Sequence, residues 1–286
     1  MYSYHIKHRQ GSFAREMLHH DQREGRNGMV INGAHYQMLW TANYAGQGFS
    51  DAGKQTDEVF ESLATVLGEY NMSLLDNTIR TWVFVRDIDN QYKGMVISRR
   101  NFFLKHGFTG KTRYIASTGI EGNAREVNSL ISVDAMSLGG LAKDQIVVME
   151  ALEHLSPSIK YGVTFERGLK VPFGDRTHLY VSGTASINEK GELLYPGNIR
   201  KQTRRALENI KALLTPHGAD FADVAHLIVY VRDPKKKSAV EEMLSGYIPE
   251  RVPCLLVEAP ACRPGWLVEI EAMGIKSETH NFPAFL

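Results

Sequence analysis

Cysteine is scarce in this chain: among 286 residues there are two, Cys254 and Cys262. Two thiols cannot form a disulfide framework and favour a reducing compartment, so we expect a cytoplasmic protein. Long apolar runs are also lacking, because none approaches the roughly 20 residues that span a bilayer. The start of the sequence has no apolar segment typical of a secretory signal. We therefore expect neither secretion nor a membrane partner.

Charge of one sign and metal-binding motifs are missing as well. The formal net charge is +1, so no overall field attracts nucleic acid. The short basic runs at 204–205 and 235–237 lack the interleaved aromatic residues of a nucleic-acid surface. The 11 histidines include no HExxH pattern or zinc spacing, and phosphate-loop motifs are absent. We expect no metal, no cofactor and no nucleic-acid partner.

The chain does contain an internal repeat. Residues 80–87 read RTWVFVRD, and residues 226–233 read HLIVYVRD. Further matching pairs are QTDEVF at 55–60 with QTRRAL at 202–207, and SVDAM at 132–136 with EIEAM at 269–273. A fold that is built twice can keep its chemistry in one copy and lose it in the other. Differences between the copies therefore point to a functional site.

Each copy predicts an α+β domain. Alternating strands flank amphipathic helices in the order ββαβαββ, which places helices on one face of a mainly antiparallel sheet. The open face of such a sheet is commonly buried against another copy, so we expect a homo-oligomer. The expected segments are an N-terminal arm at 1–34, a degenerate domain at 35–139, a linker at 140–176 with a short helix over Lys143–His154, a second domain at 177–275 and a surface tail at 276–286.

Four segments of the second copy carry a family resemblance. They are VSGTASI at 181–187, Gln202 with Asn209-Ile210, VYVRD at 229–233 and VEIEA at 268–272. Together they resemble the RidA/YjgF superfamily, also labelled endoribonuclease L-PSP, and residues 35–137 resemble the same fold more weakly. The resemblance implies two tandem domains with a chorismate-mutase-like fold. It also favours a trimer, with small-molecule sites at subunit interfaces.

Two branches of that superfamily imply different reactions. RidA-type enamine and imine deaminases carry a Pro-Ala-Arg-Ser motif whose Arg binds the substrate carboxylate. Here the corresponding position is Cys254, with Arg251 nearby as a replacement after a shift.

Chorismatases resemble the chain at more places: SGTASI at 182–187, Tyr161-Gly162 with Phe165 and Arg167, residues 112–120, and Cys262-Arg263 ahead of Glu269. We therefore expect a chorismatase-like enzyme. The alternatives are a RidA-like deaminase and a non-catalytic metabolite-binding protein.

Glu269 is the catalytic candidate. The first copy has Ser132 at the equivalent place, so the fold does not require an acid there. The resemblance implies that Glu269 protonates the methylene carbon of an enolpyruvyl ether such as chorismate, giving pyruvate and a cyclic or aromatic hydroxy acid. Burial can keep such an acid neutral; the alternative is a solvated strand carboxylate. Glu271 has Asp134 as its counterpart and is expected to be structural.

The expected ligand is a small carboxylated metabolite, for which the arginine fork is suited. Arg113 is the preferred carboxylate clamp and Arg167 the second. Arg251 lies in a loop of the second copy similar to that of Arg113. A surface salt bridge is the alternative for each. Because Arg113 and Glu269 belong to different copies, we expect one composite site.

The remaining candidates would shape the pocket. Tyr161 could donate its hydroxyl to a substrate oxygen or could simply pack. Gly183, Thr184 and Ala185 would let a ligand approach the backbone closely, or would serve sheet packing. Cys262 resembles a pocket cysteine of the chorismatases that make hydroxybenzoate, although a buried thiol is often inert.

Overall fold

Two six-stranded sheets form the frame of the protein. A computed structural model describes residues 14–18, 27–48 and 50–285; for residues 14–18 and Tyr161 it describes the backbone alone. The first half contains β1 (Ala14–Leu18), β2 (Asn27–Asn32), β3 (Gln37–Ala45), α1 (Ala52–Glu69), α2 (Leu74–Asn77), β4 (Thr78–Val85), α3 (Ile88–Lys105), β5 (Ala116–Glu121) and β6 (Ile131–Gly139). The second contains β7 (Val147–Val148), β8 (Gly168–Pro172), β9 (Arg176–Ala185), α4 (Ile199–Leu214), β10 (Val224–Val231), α5 (Lys237–Ser245), β11 (Cys254–Glu258) and β12 (Val268–Ser277).

The two sheets have the same strand order. The first runs β1-β2-β3-β6-β4-β5, and the second runs β7-β8-β9-β12-β10-β11. All neighbours are antiparallel except β4–β5 and β10–β11, which are parallel. Phe84 pairs with Ser132 in the first sheet, as Tyr230 pairs with Glu269 in the second. The α+β fold is thus confirmed, and the register makes Ser132 the counterpart of Glu269.

Each sheet has its long helices on one face. The helix α1 begins at Asp51, whose side chain accepts a hydrogen bond from Lys54 N, and α4 begins in the same way at Asn198. The apolar stripe of α1 is buried, as is that of α4, for example at Phe60, Leu63 and Leu207. Each such side chain contributes about 1.5–3 kcal/mol of burial free energy.

The opposite faces of the two sheets meet each other within the chain. Ile79, Met136 and Leu138 of the first sheet share an apolar cluster with Leu169 and Phe173 of the second. The edge strand β5 also lies beside β9, where Ser117 N donates to Ser182 Oγ at 2.9 Å. This contact creates the composite site; the homo-oligomer stays an expectation.

The segment expected to link the copies belongs to the second sheet, which corrects the helix expected over Lys143–His154. Val147–Val148 form β7 and pair with Leu169 and Lys170. The turn before β7 is fixed by Gln145, whose Nε2 donates to Pro172 O at 2.8 Å. Local β-branched residues and this tertiary hydrogen bond favour a strand over a helix.

The ends of the chain also differ from expectation. β1 and β2, within the expected arm, pair antiparallel and extend the first sheet, while residues 1–13 and 19–26 lie outside the described residues. The tail packs rather than extending freely, because Phe285 lies 4.6 Å from Phe173, centroid to centroid. No helix within the described ranges combines the length and apolar character needed to cross a bilayer.

Candidate active site

A small cavity, part of it open to solvent, lies between the two halves. Three groups of residues line it. The first half contributes Tyr92, Arg99, Ser117 and Gly119; the segment before β8 contributes Val163, Phe165 and Arg167; and the second half contributes Gly183, Cys262, Arg263, Trp266 and Glu269. The cavity therefore combines one acid, three arginines and aromatic walls.

Glu269 is a buried acid in this cavity. Its residue is 3% exposed, and Oε2 has no hydrogen-bond partner among the described residues. Burial raises its pKa to about 8, and the negative charge of Glu271 acts in the same direction. Arg167 and Arg80 oppose this shift. At neutral pH the carboxyl is therefore mostly protonated, as an acid that donates a proton requires.

Gly183 provides the space for that carboxyl. A Cβ atom at this position would lie 1.9 Å from Glu269 Oε1 and 2.9 Å from Thr118 Cγ2. Both are overlaps, so a side chain at position 183 would displace the acid. The backbone N–H of Gly183 donates to Thr118 Oγ1 at 3.0 Å, which fixes β9 against the first half.

Glu271, two residues along the same strand, is fully engaged in a buried network. It accepts hydrogen bonds from Arg80 Nη2 at 2.6 Å, Trp82 Nε1 at 2.7 Å and Thr118 Oγ1. Arg80 also donates to Thr118. Arg80, Trp82 and Thr118 belong to the first half, so the network joins the halves directly behind the cavity. This supports the structural role expected for Glu271.

Two buried arginines face the cavity. Arg99 of α3 is 3% exposed, and its Nη1 donates to Ser117 Oγ at 3.3 Å. Arg167 donates from Nε and Nη2 to Ser156 O, each at 3.1 Å, and lies over the Phe165 ring. Burial lowers the pKa of Arg99, although an arginine remains a cation at neutral pH. The third, Arg263, is exposed where the cavity meets solvent.

Cys262 and Tyr92 both line the cavity, and each affects the pKa of the other. Burial and the nearby charge of Glu269 raise the pKa of the thiol to about 12. Burial likewise raises the pKa of Tyr92 well above its usual value. Both groups are therefore neutral at pH 7. A thiol that stays protonated is a poor nucleophile, so Cys262 can shape the cavity but is not set up to attack a substrate.

Comparison with known proteins identifies the family. The model of the family called Endoribonuclease L-PSP matches residues 173–276. A RutC family protein of Pyrococcus abyssi (strain GE5 / Orsay) is 31% identical over 138 residues, which cover 48% of this chain and 99% of that protein. The chain belongs to the RidA/YjgF superfamily.

Two further comparisons extend this result. The 3-aminoacrylate deaminase RutC of Acinetobacter baylyi (strain ATCC 33305 / BD413 / ADP1) is 30% identical over 96 residues, 33% of this chain and 76% of that protein. The solved structure of a chorismatase superposes with a TM-score of 0.74 at 20% identity, over 91% of this chain and 79% of that chain. At that identity the second likeness establishes a shared fold, which extends over both halves.

Within this superfamily fold, the residues predicted from sequence divide into two groups. The cavity brings together Glu269, Arg167, Gly183 and Cys262. Thr184 and Ala185 continue β9 as buried residues but do not line the cavity. For Tyr161 the structure gives a backbone position at the end of a 3₁₀ turn, Ser158–Tyr161, and its side chain lies outside the described residues.

Arg113 and Arg251 do not reach the cavity, which corrects their expected role. Arg113 Nη1 donates to Thr78 O at 2.9 Å and to Tyr114 O at 3.2 Å, so this guanidinium fixes the loop before β5. Burial lowers its pKa to about 10. Arg251 is exposed and donates to Ala222 O at 2.6 Å. Cys254 lies on β11 and is also exposed, outside the cavity.

Arg99 is a charged cavity residue that the sequence patterns fail to single out. It lies seven residues after Tyr92 and four after Met95, on the buried face of α3. A cation within an apolar helical stripe is unusual unless it has a partner or a ligand. That exception to the apolar pattern is the signal that could have identified it.

Proposed function

We propose that this protein hydrolyses the enolpyruvyl ether of a small carboxylated metabolite such as chorismate, by proton transfer from Glu269 to carbon. The observation that carries the proposal is a buried carboxyl, neutral at pH 7, in a cavity lined by arginines. Protonating carbon needs an acid whose pKa lies near the working pH. The chorismatase fold over both halves and the superfamily membership support it.

The reaction balances without a cofactor. The Glu269 proton adds to the methylene carbon of the enol ether, and the adjacent carbon becomes an oxocarbenium ion. Water adds to that carbon, and its released proton returns to Glu269. The hydroxyl proton of the resulting hemiketal passes to the ether oxygen on the ring as the bond between that oxygen and carbon breaks, giving pyruvate and a hydroxy acid. Arg167 would hold the carboxylate next to the reacting carbon, because its charge already acts on Glu269.

The first test is incubation with chorismate, with pyruvate measured by a coupled dehydrogenase. We expect pyruvate formation by the wild-type protein and a loss of at least about 100-fold with Glu269→Gln, which keeps the shape but removes the acid. In D₂O the methyl group of pyruvate should carry one deuterium from the acid. Absence of pyruvate above the blank, or full activity of the variant, would contradict the proposal.

An enamine deaminase is the second candidate, and the likeness to the 3-aminoacrylate deaminase favours it. A neutral Glu269 could protonate the carbon of an enamine, and water would then release ammonia from the iminium ion. The exposed position of Cys254, where RidA deaminases have Arg, argues against this reading. Accelerated ammonia release from 2-aminoacrylate generated in place, without pyruvate from chorismate, would favour it. Ligand binding with no turnover of either compound would indicate a metabolite-binding protein.

A further inference from the structure

Arg99 presents a buried cation that lacks an acidic partner. In the part of the chain that the structure describes, its guanidinium has one hydrogen bond, to Ser117 Oγ, and no salt bridge; its buried Nε has no partner. Burying a cation without an anion costs free energy, and proteins rarely retain one without a reason. The side chain lines the cavity, so the missing anion can come from a ligand.

Ser117 completes the environment of this cation. Its Oγ accepts a hydrogen bond from Thr81 Oγ1 at 2.9 Å as well as the one from Arg99. The hydroxyl proton of Ser117 therefore remains available to a further acceptor. Ser117 is held in place by its backbone N–H, which donates to Ser182 Oγ across the two halves. A guanidinium and a hydroxyl donor side by side are suited to a carboxylate.

The second half has no equivalent of this arrangement. Asp87 and Asp233 are equivalent positions of the two copies and lie 146 residues apart. The same offset makes Ser245 the counterpart of Arg99. The register of β10 with β11 makes Cys254 the counterpart of Ser117, because Leu227 pairs with Cys254 as Thr81 pairs with Ser117. The fold thus forms without this cation and hydroxyl, which indicates a functional reason for them.

The two buried arginines of the cavity differ in which neighbouring group their charge affects. The charge of Arg167 lowers the pKa of Glu269, whereas the charge of Arg99 lowers the pKa of Tyr92. A substrate with two carboxylates would place the one beside the reacting carbon near Arg167. Tyr92, Phe165 and Trp266 line the same cavity, and their aromatic rings would pack against a substrate ring.

We infer that Arg99 and Ser117 form a second carboxylate subsite, which binds the ring carboxylate of the substrate while the enolpyruvyl group faces Glu269. The inference rests on the proposed function for its substrate class. A cyclic or aromatic hydroxy acid released by the reaction would keep this one carboxylate. Such a product should therefore bind the protein by itself, through Arg99, whether or not turnover occurs.

Binding of 3-hydroxybenzoate, measured by calorimetry, tests the subsite without any need for turnover. We expect the wild-type protein to bind it and Arg99→Met to lose roughly 10- to 100-fold in affinity, the value of a charge-assisted hydrogen bond. Arg100→Met is the matched control, because it removes the same charge from the next residue of α3, which does not line the cavity. The neutral analogue 3-hydroxybenzamide should bind weakly to wild type and equally to Arg99→Met.

Thermal unfolding separates a ligand role from a structural one. Arg99→Met removes a buried cation that has no acidic partner, so its melting temperature should equal or exceed that of wild type. If Met disturbs the packing, Arg99→Lys serves as the second variant. Equal affinity of wild type and Arg99→Met, or no binding of 3-hydroxybenzoate to wild type at millimolar concentration, would overturn the subsite. Arg99-dependent binding without pyruvate formation would retain the subsite and reject the proposed reaction alone.

Discussion

At the scale of single residues, Gly183 controls the position of the acid. Gly183→Ala should displace the Glu269 carboxyl, because its Cβ would lie 1.9 Å from Oε1. We expect loss of pyruvate formation and a lower melting temperature. Gly68→Ala in α1 is the matched control, since nothing lies within 4 Å of its Cβ and alanine favours a helix by up to about 1 kcal/mol. Wild-type activity and stability in Gly183→Ala would contradict this account.

Glu269 also predicts two effects of pH. The folded state holds its proton up to about pH 8, whereas an unfolded chain releases it near about pH 4.3. The free energy of unfolding should therefore fall as pH rises between these values, and kcat/KM should fall above pH 8. Glu269→Gln cannot ionise, so its chemical-denaturation profile should be flatter over the same range. Parallel stability profiles for the two proteins would contradict the raised pKa.

At the scale of helices and strands, periodic patterns were sufficient where one face is buried. The α1 stripe and the alternation in β12 predict the elements that the structure contains. The β7 strand could not be predicted, because two residues carry no periodicity and their pairing with β8 depends on distant hydrogen bonds. Segment 140–176 therefore resembled a linker although it supplies two strands of a sheet.

The same limit applies to the candidate site. Comparison of aligned copies was enough to single out Glu269, since Ser132 shows that the fold tolerates its absence. Loop alignment was misleading for Arg113, because a guanidinium that binds backbone carbonyls has the same sequence appearance as one that binds a ligand. Arg99 reaches the cavity only because β5 packs beside β9, a tertiary contact that no local pattern encodes.

At the scale of the whole molecule, the site depends on how the halves are held together. Arg232 at the end of β10 donates to both oxygens of Asp89 in α3, at 2.9 and 3.1 Å. It also donates to Ala261 O and Arg263 O in the loop that lines the cavity. One side chain therefore ties that loop to the helix that carries Tyr92 and Arg99.

Asp89→Asn should loosen this tie while the carbonyl bonds of Arg232 remain. The pair is partly exposed, so its loss should cost at most about 1 kcal/mol of stability. Affinity for 3-hydroxybenzoate should fall several-fold, because α3 and the loop would no longer be held in register around the ligand. Glu208→Gln, which removes the similarly exposed partner of Arg204 on α4, should leave affinity unchanged. Equal affinities for the two variants would show that the carbonyl bonds alone position the loop.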